Sequence, residues 1–150
     1  MMLALTLKHP WVWAILHAGK RVENRKWGLP PEYLNRWILL HGGKSPLGPA
    51  RWEALRDYHS ICNHQIITPS RLDATILPGI RGAFKVSEVI NKASAHPMVE
   101  SPWFHGPRGW VLSEVVRFPE AVDCRGNQGL WHVPATVAAE VERLYGGLLK

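Results

Sequence analysis

Apolar residues in this chain come in short runs, punctuated at several points by glycine or proline, and never in a regular strand–helix alternation. That punctuation constrains the fold more than any other feature. Residues 2–7 read as a strand. Pro10 opens a helix, where its missing N–H costs nothing. Trp11, Ile15 and Ala18 fall on one face of it, with Val12 and Leu16 beside them, and Trp13 and His17 share the opposite side. Gly19 ends the helix by permitting a left-handed residue. Pro30-Pro31 breaks the chain again, and residues 36–41 read as a buried strand closed by Gly42-Gly43. A second helix is expected from about Pro49 to Cys62, with Trp52, Leu55 and Tyr58 inward, followed by a loop over residues 63–78. Gly79 to about Ile90 reads as a strand, and Gly82 inside it marks a bulge or a close approach. A long loop over 91–107 carries Trp103, strands follow at 109–117 and 130–133, and Pro134 opens a closing helix with Val137, Val141 and Leu144 inward. This order lacks the βαβ repeat of a doubly wound sheet. It predicts one α+β domain over residues 1–150, a small mixed β-barrel with peripheral helices.

A chain of 150 residues, 46% of them hydrophobic, is long enough to bury one core and too apolar to be mainly disordered. No apolar run is long enough to span a membrane. The stretch Met1–Leu7 is too short for a leader's apolar region and has no basic flank. The two cysteines, Cys62 and Cys124, are far apart in sequence, and free thiols in a reducing compartment are expected. The expected location is the cytoplasm. Eighteen Lys and Arg against twelve Asp and Glu give a net charge of +6, which suits a polyanionic partner but also serves plain solubility. Most of the eight tryptophans are expected in the core, but not all need be, since flat rings also serve as platforms for stacked bases.

The segment from Ala18 to Arg25 carries the most chemistry. In an extended strand, residues 21, 23 and 25 point one way and 20, 22 and 24 the other. Glu23 is then placed to pair with Arg21 or Arg25 and hold a guanidinium for a phosphate or a base edge, while Lys20 leaves the turn in another direction. The plainer reading of the same spacing is an exposed cluster of weak ion pairs.

Other candidates are less specific. His41-Gly42-Gly43-Lys44-Ser45 has the composition of a phosphate loop but lacks the first glycine of a nucleotide-binding P-loop, so ATP binding is rejected. It still offers amides and a cation to one phosphate, or is a plain turn. Ser113 lies on a strand with no nucleophile elbow around it and is either structural or a ligand contact. Arg125 and Gly126 ahead of Gly129-Leu130-Trp131 read as a tight turn with a donor close by, or as loop geometry. His59, Cys62 and His64 lack a second half at zinc-site spacing, so no metal and no cofactor is expected.

The stretch Ala18–Arg25 resembles the ASCH-domain signature Gly-x-Lys-x-x-Glu-x-Arg: Lys20, Glu23 and Arg25 fall in register, Ala18 takes the first glycine's place, and a glycine follows at Gly19. Pro10-Trp11, Leu39-Leu40-His41-Gly42-Gly43-Lys44, Gly106-Pro107-Arg108-Gly109-Trp110 and Arg125-Gly126-x-x-Gly129-Leu130-Trp131 are similar to segments of bacterial and phage ASCH proteins. The resemblance implies a PUA-like β-barrel with a cleft beside the first helix, and an association with RNA. Some members resemble ribonucleases; others remove the acetyl group of acetylated cytidine with a Lys and a Thr three residues on, where Glu23 stands here. The related YTH and EVE domains read modified bases in aromatic cages. The expected function is nucleic-acid binding, to RNA before other single strands, with a modified nucleotide as one form of the ligand. The nucleotide would lie in a basic cleft formed by Lys20, Arg25, His41, Lys44 and Arg125 with Trp13, Trp103 and Trp110. The alternative is an RNA-directed hydrolase in which Lys20 acts with Glu23 or Ser113.

Overall fold

The computed structural model describes residues 1–44 and 76–150, and within them an α+β fold. Among the described residues, six strands form one curled, mixed sheet, a half-barrel, with two α-helices. The strands are β1 (Leu3–Leu7), β2 (Val22–Arg25), β3 (Ile38–Gly42), β4 (Gly79–Asn91), β5 (Arg108–Val122) and β6 (Leu130–His132). Helix α1 (Trp11–His17) follows β1, and α2 (Ala135–Tyr145) follows β6. The sheet order is β2-β5-β4-β3-β1-β6; β1 and β3 run parallel, and every other pairing is antiparallel. The expected helix over Pro49 to Cys62, with Trp52, Leu55 and Tyr58, lies outside the described residues, as do His59, Cys62 and His64.

Period-two alternation explains why the strands bury both faces. Leu5, Leu7, Ile38, Leu40, Phe84, Val86, Trp110 and Leu112 point into one core, which α1 enters with Val12 and Ile15. Ala4, Leu39, Ile80, Ala83, Phe118, Val122 and Trp131 point into a second core, covered by Val141 and Tyr145 of α2. A smaller cluster of Ala14, Val22 and Trp103 joins α1 to β2 and to the loop before β5.

The expected strands and both terminal helices form, with two departures. Strand β5 runs to Val122 rather than ending near residue 117, although it contains Pro119. The register shifts between the Gly82–Arg117 and Ile80–Val122 pairs, so Pro119 falls where the ladder is irregular and a missing N–H is tolerated. Gly82 sits at that shift with its Cα against the Val116 carbonyl, a close approach of the kind its place in the strand implies. On α2, Leu144 is 45% exposed rather than inward. Tyr145 takes the inner position: its ring stacks on Phe118, and its hydroxyl donates to the Glu120 carbonyl at 2.7 Å and accepts from the Glu120 N–H at 3.1 Å. A phenol that satisfies both backbone groups of a strand residue explains the shift of the buried stripe by one position.

Candidate functional site

The candidate residues separate into two groups at opposite ends of the β4–β5 ribbon. The first surrounds β2. After Gly19, at φ +73°, the chain turns from α1 into the edge strand β2, where Glu23 lies opposite Trp110 of β5. Lys20 is 2% exposed, and its ammonium donates to Glu23 Oε2 at 2.7 Å. The Arg25 guanidinium stands 3.8 Å from Glu23 Oε1. One carboxylate therefore serves two cations and leaves the trio with a net positive charge. Glu23 pairs with Lys20 first and with Arg25 second. Arg21, offered by alternation alone, instead donates to the Ile15 and Lys20 carbonyls. Lys20 lies ahead of the strand, so strand alternation does not govern it, and three residues of tight chain bring it back to Glu23.

Aromatic rings enclose the trio. The Lys20 ammonium lies 5.2 Å from the Trp11 ring centre, and the Arg25 guanidinium lies 5.1 Å from that of Trp27 and 5.7 Å from that of Trp110. Trp110 is fully buried, and its indole N–H donates to the Trp27 carbonyl at 3.3 Å. Trp103 is also a core residue, and Trp13 is half-buried beside His17. Trp103 and Trp110 thus build the wall rather than offer an open stacking face. Trp27, 37% exposed and edge-on to Trp110, is the exposed ring of this group, although it was not among the expected site residues.

His105 is the other residue that the sequence did not single out. Asn24 of β2 donates to the Trp103 carbonyl and accepts from the His105 and Gly106 N–H groups, at 2.9, 3.0 and 3.2 Å. This clamp sets the loop before β5 against the trio. Burial, and then the positive charge of Lys20, hold the His105 imidazole below its ordinary range. Ser113 does not join this group through any described contact: it is exposed and donates to the Lys85 carbonyl at 3.4 Å.

The second group lies where β3 ends, beside the start of β4 and the β5–β6 loop. Here His41, Lys44 and Arg125 line one cavity of about 720 Å³ together with Thr6. Hydrogen bonding fixes the protons. The Cys124 carbonyl can only accept, so His41 donates to it through Nε2, at 2.6 Å. Nδ1 then accepts from the Thr6 hydroxyl at 3.1 Å, and Thr6 accepts from the Trp131 indole N–H at 3.0 Å. Burial holds His41 below its ordinary value, opposed by the Cys124 carbonyl and by Asp123.

The direction of that shift sets a pH dependence. Below about pH 6.5 the unfolded chain takes up a proton at position 41 that the folded chain refuses. Stability is then complete above about pH 6.5 and declines as pH falls from there through the lower folded value. His17 and His105, both shifted downward, contribute with the same sign. Urea midpoints measured from pH 8 to 5 are expected to fall with acidification. A His41 Cε1–H resonance titrating at or above 6.5 would contradict the fixed proton order.

Compared with known proteins, the chain matches no protein-family model and no curated protein.

Proposed function

We propose that this chain is a PUA-like domain of the ASCH type that binds single-stranded RNA at the Lys20–Glu23–Arg25 trio. The observation that carries the reading is the burial of the Lys20–Glu23 pair. Burying two charges costs several kcal/mol per ion, and well-packed apolar residues are often at least as stable in their place. Such a pair is a poor choice for stability alone and a good one for holding a third group. That group is Arg25, the outward member of the trio, set by Glu23 on one side and by Trp27 on the other. A guanidinium held this way recognises a phosphate, and the exposed Trp27 ring beside it takes a stacked base. The positions of Lys20, Glu23 and Arg25 agree with the ASCH signature, and the curled sheet agrees with a PUA-like barrel.

A hydrolytic reading rests on one further observation, the clamped His105 beside Lys20 and Glu23. A largely neutral imidazole next to a fixed ammonium has the elements of a general base and an anion stabiliser. The binding reading needs fewer parts and is preferred.

Fluorescence anisotropy with a short single-stranded RNA tests it. Binding is expected at low salt and should weaken steeply as salt rises, because phosphate contacts release counterions. Arg25→Ala is expected to cost about 1.5–3 kcal/mol of binding, the range for a charged hydrogen bond, with the melting temperature nearly unchanged. Lys20→Ala should weaken binding as well, through the loss of order at Glu23. No binding at low salt, or a flat salt response, refutes the proposal.

A further inference from the structure

We propose that the cavity between the end of β3 and the β5–β6 loop is a second ligand site, separate from the trio, that takes a small phosphate-bearing molecule of the mononucleotide class. The site is built. His41 is nearly inaccessible, yet both ring nitrogens are satisfied, and the Trp131–Thr6–His41–Cys124 chain gives the cavity a rigid polar floor. Gly126 lies flat on that floor: a Cβ there would stand 2.6 Å from His41 Cε1 and 2.8 Å from Thr6 Oγ1. Any larger residue lifts the loop and changes the cavity's wall. A preformed pocket on a locked hydrogen-bond network is the usual form of a small-molecule site.

Charge decides what enters it. Lys44 comes from the end of β3 and Arg125 from the β5–β6 loop, so two cations on different elements line one space. Neither makes an ion pair among the described residues, and Asp123 is the one acidic group in the described lining. The balance favours an anion, and Arg125 provides the planar fork that suits phosphate.

The cavity has room for much more than a bare ion. A phosphate needs the room of a few waters, at about 30 Å³ each, whereas the cavity holds about 720 Å³. The remaining lining includes the Asn127 and Gln128 carboxamides, each with a donor and an acceptor. Such groups match the mixed donor–acceptor edge of a nucleobase. Phosphate at Lys44 and Arg125 with a base edge at the carboxamides makes a nucleoside monophosphate, either free or at the phosphorylated end of a strand.

The experiment titrates the isotope-labelled full chain with nucleoside 5′-monophosphates, the matching nucleosides and inorganic phosphate. The Trp131 indole N–H resonance is the reporter, because that group belongs to the floor. At least one monophosphate is expected to shift it saturably, with the nucleoside and inorganic phosphate each at least tenfold weaker. Arg125→Ala and Lys44→Ala should each weaken the monophosphate tenfold or more, with unchanged melting. Arg25→Ala should leave this affinity within twofold while weakening RNA, so failure here is distinguishable from failure of the RNA proposal. A 5′-phosphorylated trinucleotide that competes assigns the site to a strand end, and one that does not assigns it to the free nucleotide; either supports the site. The proposal is overturned if no monophosphate binds saturably, if inorganic phosphate binds as tightly, or if Arg25→Ala removes binding as fully as Arg125→Ala.

Discussion

Glu23→Gln is expected to destabilise the fold by about 3–5 kcal/mol, the range for breaking a buried pair from one side. The change preserves shape and removes only charge, so the loss reports the Lys20 ammonium left in a buried site without its counter-charge. Arg25 also loses its anchor. Lys20→Met is expected to cost less, because Glu23 keeps Arg25 nearby and gains freedom to meet water. The double variant Lys20→Met, Glu23→Gln should recover much of the loss, since neither partner then strands the other. Urea unfolding of the wild type, both single variants and the double variant forms a cycle whose coupling isolates the pair. Losses that simply add would show that the pair is not a unit. The cycle also separates stability from recognition: a double variant that folds well yet binds RNA poorly is the outcome expected of a pair retained for its effect on Arg25.

The fold was legible where local chemistry and tertiary packing agree. Pro10 and Gly19 bracket α1, and Gly82 marks the irregular stretch of β4, because helix ends and close backbone approaches leave a mark in single residues. The strand read over 109–117 runs on through Pro119 to Val122, because the ladder is irregular where the proline's missing N–H would count, and that register shift belongs to β4 as much as to β5. The inward stripe of α2 was misplaced by one residue for a similar reason. Leu144 is the more apolar choice, but Tyr145 can meet the Glu120 backbone, and no helical periodicity encodes that.

The site was less legible than the fold. Lys20, Glu23 and Arg25 stand close in sequence and also in space, whereas the expected single cleft joined residues that the sheet order keeps apart. Glu23 pairs with Trp110 and, across β5, lies beside Val89 near the end of β4, while His41 pairs with Ile80 at its start. Sheet order is a non-local property, so no spacing along the chain separates the two groups. His105 had no local signal at all; it is delivered by Asn24, a residue eighty-one positions away whose side chain faces the loop.

Gly42→Ala is expected to be as damaging as the loss of Glu23, and the adjacent Gly43→Ala nearly silent. Gly42 is the last residue of β3. A methyl group there would overlap the backbone carbonyl of Leu77, and it would stand 3.3 Å from the His9 ring. The Leu77 carbonyl is backbone and cannot swing aside as a side chain does. His9 is completely buried at this junction; its Nε2 donates to the Gly43 carbonyl, and its Nδ1 accepts from the Leu77 N–H at 3.2 Å. Moving Leu77 to admit a methyl group therefore strains the packing and breaks into that hydrogen-bonded bridge together. Overpacking costs about 1–3 kcal/mol. An unsatisfied buried polar group adds about 1–3 more. A loss of about 3 kcal/mol lowers the melting temperature by roughly 6–12 °C in a domain of this size. At Gly43 the same methyl group meets only the Thr6 Cγ2 at 3.8 Å, an ordinary contact, with Leu7's carbonyl at 4.0 Å. Two glycines side by side, both lining the second cavity, should thus differ several-fold in their effect on stability. Thermal melts of the two alanine variants measure that difference, and equal melting temperatures would contradict the close approach of β3 to Leu77.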